Sequence, residues 1–161
     1  LYDVINGDTR DASVRPNQIF AVSLFYPILK GERARSVVDK VEKDLLTPKG
    51  LRTLAPYDAK YIGKYEGGPV ERDSAYHQGT VWAWLIGPFI DAYLRVYGDE
   101  GDVVESARKM LSGLEEHLQD TMLGSLSEIF DGDAPHAAKG AAAQAWSIGE
   151  FNRIRRKLRT Q

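Results

Sequence analysis

The sequence contains no cysteine. That excludes a disulfide framework and any thiolate metal site, and it fits a reducing, cytoplasmic setting. It also has no long hydrophobic run. The longest apolar stretch, from Val81 to Ile90, is interrupted by Gly87 and Pro88 and falls short of the roughly 20 residues a membrane span needs. No basic segment followed by an apolar one opens the chain, so a secretory leader is not expected. Charge of one sign is lacking too. With 21 Lys and Arg against 23 Asp and Glu, intermixed, the net charge is -2. There is no electrostatic footprint for nucleic acid or an anionic membrane, and neither is expected as a partner.

What remains is a chain of 161 residues, 43% hydrophobic and 27% charged, enough for one domain with a real core. It begins at Leu1 rather than Met, and its first residues read as the middle of an element. A piece of a longer polypeptide is expected.

Hydrophobic periodicity predicts two kinds of helix in alternation. Gln18–Tyr26, Val81–Phe89 and Ala141–Ile148 are apolar on nearly all sides and predict inner helices surrounded by protein. Glu32–Leu46 and Val104–Leu118 carry single apolar stripes and predict outer helices. The fold class is therefore all-α, with about five main helices. A glutamine leads each inner segment (Gln18, Gln78 and Gln144), at intervals of 60 and 66 residues. Pro16 suits a first helical turn, Gly31 and Gly98 read as C-terminal glycines, and Pro88 should kink or split the second inner helix.

Strand signals are weak. Tyr57–Tyr65 reads as loop with room for short β-pairing, inside a stretch from Thr47 to Gly79 that has little helical pattern. A connection that long inside a compact domain is usually functional. The second long connection, Gly124–Gly140, carries an acidic cluster. Both precede an inner helix, which in a ring of helical hairpins places them at one mouth.

Grouped near these helix starts are Arg15, Asn17, Gln18, Arg52, Asp73, Tyr76, His77, Gln78, Trp82, Glu128, Asp131, Asp133, Gln144 and Trp146. Sugars need such a set: polar groups for their hydroxyls and aromatic faces for their C–H surfaces. Each has a plainer reading. Glu128 before an Ile-Phe pair reads as a surface or capping residue, Asp131-Gly132-Asp133 as a turn, and the tryptophans as core. Asp131-Gly132-Asp133 lacks the ligand alternation and downstream Glu of a calcium loop, and the three histidines lack metal-ligand spacing, so no metal or other cofactor is expected. Residue chemistry alone stops at a helical protein suited to carbohydrate.

Five segments in register carry a resemblance. Arg15-Pro-Asn-Gln-Ile-Phe-Ala-Val-Ser23, Gly50-Leu-Arg-Thr-Leu54, Tyr76-His-Gln-Gly-Thr-Val-Trp82 with Gly87-Pro88, Ser127-Glu-Ile-Phe-Asp-Gly-Asp133 and Ala143-Gln-Ala-Trp-Ser147 resemble successive signatures of the glycogen debranching enzyme family, in its amylo-α-1,6-glucosidase domain. The match spans nearly the whole chain. It implies an α/α toroid of six helical hairpins, of which residues 1–161 would be a C-terminal part, with long loops at one mouth. It implies an inverting hydrolase releasing glucose from α-1,6 branch points of glycogen-like α-glucans, with Glu128 as general base. It implies that Tyr76, His77, Gln78 and Trp82 line the sugar subsite, with Arg15, Asn17 and Arg52 contributing. The family's general acid is an aspartate in an earlier segment that this chain does not contain. Asp3, Asp8 and Asp73 are available carboxylates outside that motif.

An inactive fragment is therefore expected, partnered by the rest of its parent chain and by an α-glucan oligosaccharide, and prone to homo-oligomerise alone through apolar faces built for neighbours. Two other classes stay open. One is another toroid hydrolase of glucoamylase, trehalase or mannosylglycerate hydrolase type, and the other is a non-catalytic carbohydrate-binding or structural helical module.

Overall fold

A computed structural model describes residues 1–98, 101–120 and 124–160. The chain opens with a hairpin of β1 (Val4–Asn6) and β2 (Thr9–Asp11), then a 3-10 turn at Pro16–Ile19 that runs into the short α1 (Phe20–Ser23). There follow α2 (Gly31–Leu45), β3 (Leu46–Thr47), β4 (Gly50–Arg52), α3 (Pro69–Ala75) and β5 (Val81–Trp82). A 3-10 turn at Ala83–Leu85 leads into α4 (Ile86–Tyr97), followed by α5 (Val103–Lys109) and α6 (Ser112–Asp120). The described chain closes with β6 (Ile129–Phe130), β7 (Ala138–Lys139) and α7 (Ala145–Arg159).

The core gathers round α4, which packs against α1, α2, α5 and α7. Its Ile86, Phe89 and Ile90 are fully buried. The helices around it present stripes at helical spacing: Val37, Val38, Val41 and Leu45 on α2, and Phe151, Ile154 and Leu158 on α7. Each such side chain contributes about 1.5–3 kcal/mol by leaving water. Polar ties hold the same pairs at the surface. Asp91 of α4 receives Arg153 at 2.6 Å and Lys157 at 2.7 Å from α7. Arg95 donates to the carbonyls of Val22 and Leu24, satisfying acceptors left open where α1 ends.

The protein is mostly helical, but the all-α expectation is corrected. Strands β3 to β7 form one antiparallel five-stranded sheet in sequence order. They are only two or three residues long, too short for an alternation to register, and they lie where long connections enter or leave helices. The inner segments also differ from their predicted form. Helical structure at Gln18–Tyr26 ends at Ser23, because Leu24 is extended, and Phe25 and Tyr26 are left exposed. Val81–Trp82 is strand, and the α-helix behind it starts at Ile86. Pro88 does not split that helix: it sits in the first turn, where a missing N–H costs no hydrogen bond. Residues 141–144 precede the third helix, which is amphipathic rather than apolar all round.

The outer helix predicted at Glu32–Leu46 is present as α2, opened rather than preceded by Gly31, whose φ is +55. Val104–Leu118 is two helices, broken at Met110 and Leu111. Thr47–Gly79 holds α3, and Tyr57–Tyr65 contains no strand. No described helix is long and apolar enough to cross a membrane.

His117 of α6 lies in this interior, 4% exposed. Burial, and then the charge of Lys49, hold its pKa below the ordinary 6.5, with Asp120 opposing. His77 is lowered as well, by desolvation first and Arg15 second. A group with a depressed folded pKa stabilises the fold above its unfolded value, and that contribution is lost as pH falls through the folded value. The urea midpoint is expected to hold steady above about pH 7 and to decline below about 6.5. His117→Gln should make that decline shallower. An acid limb with the same slope in wild type and variant would refute the assignment.

Candidate active site

Strand β6 fixes Glu128. Ile129 and Phe130 are fully buried and pair on one side with β5, as Trp82↔Ile129 and Val81↔Phe130. On the other side they pair with β7, as Ile129↔Lys139 and Phe130↔Ala138. Glu128 immediately precedes this ladder and continues it, its N–H donating to Ala141 O at 2.8 Å. The Ala141 N–H returns to Glu128 Oε2 at 2.9 Å. Between them Gly140 adopts φ +67, and a Cβ there would run into the Glu128 carboxylate.

The other carboxylate oxygen is held from the first long loop. Just past α3, the Tyr76 carbonyl accepts Thr80 Oγ1–H at 2.6 Å and the Trp82 indole N–H at 3.2 Å, so the turn folds back over β5. That fold brings the Tyr76 hydroxyl to Glu128 Oε1, to which it donates. Burial, and then the Glu128 hydrogen bond and charge, push the Tyr76 phenol far above its usual value. It remains a donor at any physiological pH.

An aromatic cluster extends from Tyr76. His77 lies parallel to Trp82, with centroids 5.2 Å apart and planes 9° apart. Tyr76 meets Trp82 edge-on at 5.0 Å, Tyr65 stands 5.8 Å from Tyr76, and Trp146 stands 5.6 Å from Trp82. Desolvation first and Arg15 second hold the His77 pKa below its ordinary value, which favours the uncharged ring. In front lies an open hollow of about 320 Å³, lined by Tyr65, Pro69, Arg72, Asp73, Tyr76 and Glu128. That is at the small end of ligand sites, about 300–1,000 Å³. One half-buried carboxylate, held at both oxygens beside tyrosine rings and polar groups, can accept a proton from water in the hollow.

The residues singled out by sequence divide into two sets. Glu128, Tyr76, His77 and Trp82 come together in one cluster, of which Glu128 and Tyr76 line the hollow. Arg15 is occupied as a clamp: Nη1 donates to Thr53 O at 3.1 Å and His77 O at 2.7 Å, and Nη2 donates to Gln78 Oε1 at 2.8 Å. Its Nε also faces Asp3 at 3.6 Å. Gln78 thus reaches the cluster through Arg15. Asn17 donates to Asp3 at 3.0 Å and lines a separate hollow beside Phe20 and Leu24. Arg52 donates to Gly132 O at 2.9 Å, supporting the acidic loop from behind.

In that loop, buried Asp131 accepts the Tyr65 N–H at 2.8 Å and faces Lys64 and Lys139 at 3.7 and 3.8 Å. Asp133 accepts the Tyr61 hydroxyl at 3.0 Å, and burial first and Asp133 second raise that phenol to about 12. Of the three spare carboxylates, Asp73 alone lines the hollow with Glu128. Sequence reading missed Tyr65, Arg72, Gly140 and the Ala141 N–H. Tyr65 had a signal in its aromatic spacing, whereas a backbone donor has none.

The profile of the amylo-alpha-1,6-glucosidase family matches residues 1–153. The chain belongs to that family. It is 26% identical over 156 residues to the glycogen debranching enzyme of Saccharomyces cerevisiae, a match covering 85% of this chain and 10% of that protein. The chain thus spans about a tenth of the length of the curated relative it matches.

In this amylo-alpha-1,6-glucosidase family chain, Gly140 offers the most direct mutational handle on the Glu128 carboxylate. Gly140→Ala adds left-handed backbone strain to the collision with Glu128. Together they are expected to cost about 1–3 kcal/mol in chemical denaturation. A variant as stable as the wild type would show that the two segments do not abut.

Proposed function

We propose that this chain is the C-terminal part of an α/α-toroid catalytic domain in an inverting glycoside hydrolase that releases glucose from α-1,6 branch points of an α-glucan. The observation that carries the reading is the Glu128 carboxylate, held by Tyr76 on one oxygen and the Ala141 N–H on the other, facing a hollow lined by two tyrosines and the polar side chains of Arg72 and Asp73. Family membership over residues 1–153 supports the substrate class.

In this mechanism Glu128 takes a proton from a water molecule as its oxygen attacks the anomeric carbon. The bond to the leaving sugar breaks, and its oxygen receives a proton from an acid. Inverting pairs stand about 6.5–9.5 Å apart so that water fits between them. The acid is proposed to come from a segment of the parent polypeptide outside these residues. Tyr76 keeps the carboxylate oriented, the rings of Tyr65 and Tyr76 that line the hollow suit the C–H surface of a sugar, and buried Trp82, stacked on His77, backs them. Arg15, Gln78 and Arg52 act by holding the loops that carry these groups, and Asp73 and Arg72 supply hydroxyl partners at the rim.

The test is Glu128→Gln in the full-length polypeptide. It should lower glucose release from a branched α-glucan by about 100- to 10,000-fold while oligosaccharide affinity is retained. Undiminished turnover would exclude Glu128 as the base. Faster hydrolysis of linear α-1,4 substrates than of branched ones would move the activity to another toroid hydrolase class.

The exposed apolar strip of Leu24, Phe25, Tyr26 and Ile28, with Leu1 and Ile5 on the opening hairpin, supports the proposal that further helices complete the domain. The isolated 161-residue chain is therefore expected to self-associate and to release no glucose. A concentration-independent monomer by light scattering, or turnover by the isolated chain, would count against an incomplete toroid.

A further inference from the structure

The Glu128 carboxylate is held from its cleft side by Tyr76 and Ala141, but its backbone is also gripped from the core. His117 of α6 is buried beside the segment that carries it. His117 Nε2 lies 3.0 Å from Ser127 Oγ and accepts the Ser127 N–H at 3.4 Å. Accepting that N–H requires an unprotonated Nε2, so the hydroxyl donates to the same nitrogen. The ring also meets Phe130 edge-on at 4.9 Å. One imidazole therefore fixes the residue just before Glu128 and packs against one two positions after it.

Ser127 is itself 2% exposed, and Leu126 and Ile129 are fully buried. Within this apolar surrounding its N–H and hydroxyl need a protein partner, and leaving such a group unpaired costs about 1–3 kcal/mol. A leucine could fill the volume of His117 but could not accept either hydrogen. An acceptor at this position does more than packing would, because it sets where Ser127 sits along the line of β6. The reach of the next side chain follows from that placement.

We propose that His117 is a positioning residue for Glu128, its imidazole anchoring Ser127 so that the carboxylate is presented to the hollow between Tyr76 and Ala141. This rests on the reading of Glu128 as the base. The experiment compares His117→Leu, which removes the acceptor, with His117→Gln, whose amide oxygen can take the place of Nε2. Both are made in the full-length polypeptide and assayed for glucose release from a branched α-glucan. Amide hydrogen exchange of Ser127–Phe130 is followed in parallel.

A misplaced catalytic group costs on the order of 100-fold, so His117→Leu should lower kcat by about 30- to 100-fold. KM should stay within about 3-fold, since binding groups are untouched. Exchange at Ser127 should quicken, and His117→Gln should restore most of both. An undiminished kcat in His117→Leu overturns the proposal. So does a loss that His117→Gln fails to relieve while melting temperature falls equally in both variants.

If His117→Leu does not fold, Ser127→Ala replaces it, since it removes only the hydroxyl partner. A lower kcat at constant KM then supports the proposal, and wild-type kcat with wild-type exchange overturns it. Should the wild-type enzyme release no glucose, the glycosidase reading falls, and the exchange rates decide alone whether His117 anchors this segment.

Discussion

Two backbone pairings, Val81↔Phe130 and Trp82↔Ile129, join the two long connections of this chain, and the candidate site depends on them. Segments about 50 residues apart in sequence lose considerable conformational freedom when they meet, so the join has to be strongly favoured. Burial does this. All four residues are buried, three of them fully, and the strands are flanked by β4 and β7 on their two sides. Once β5 and β6 are paired, the turn after α3 has one way to fold back over Trp82, and its Tyr76 hydroxyl meets Glu128. The hydrogen bond between these two side chains is a consequence of the sheet rather than its cause.

The sheet was also the least legible part of the sequence. Periodicity detects elements long enough to repeat, and α2 stood out because Val37, Val38, Val41 and Leu45 repeat over a charged background. Strands of two residues have no period. Val81-Trp82 instead blended into the apolar run of α4, and Ile129-Phe130 into a loop. The apolar runs were informative about burial but misleading about type. Phe25 and Tyr26 were misleading on both counts, since they lie exposed beyond a helix that stops at Ser23.

The site was legible mainly through the resemblance of whole motifs. Residue chemistry on its own gave Glu128 no more than a surface role, because its two partners are a tyrosine 52 positions away and a backbone amide. Arg15 and Arg52 illustrate the same limit from the other side. Their type and motif suggested sugar contacts, yet their donors go to carbonyls of Thr53, His77 and Gly132. Carbonyls leave no trace in a sequence, so an arginine that holds a loop and one that holds a ligand read alike.

That division has a physical logic. A loop buried beside a cleft carries backbone groups that water no longer serves, and each must find a donor or acceptor. Arginine suits this task because one side chain reaches several carbonyls at once, as Arg15 does across two loops. Asp131 performs the complementary task for the Tyr65 N–H, and its charge is offset by the nearby lysines. With the loops satisfied by these residues, the side chains on the cleft face carry less of that duty, although Glu128 is still held by Tyr76 and Ala141 and Arg72 still donates to the Gly68 carbonyl. Asp73, Arg72 and the outer face of the Glu128 carboxylate border the hollow. A cleft that is to take a polar ligand requires polar groups with capacity left over. The clamps behind it are what let them keep that capacity.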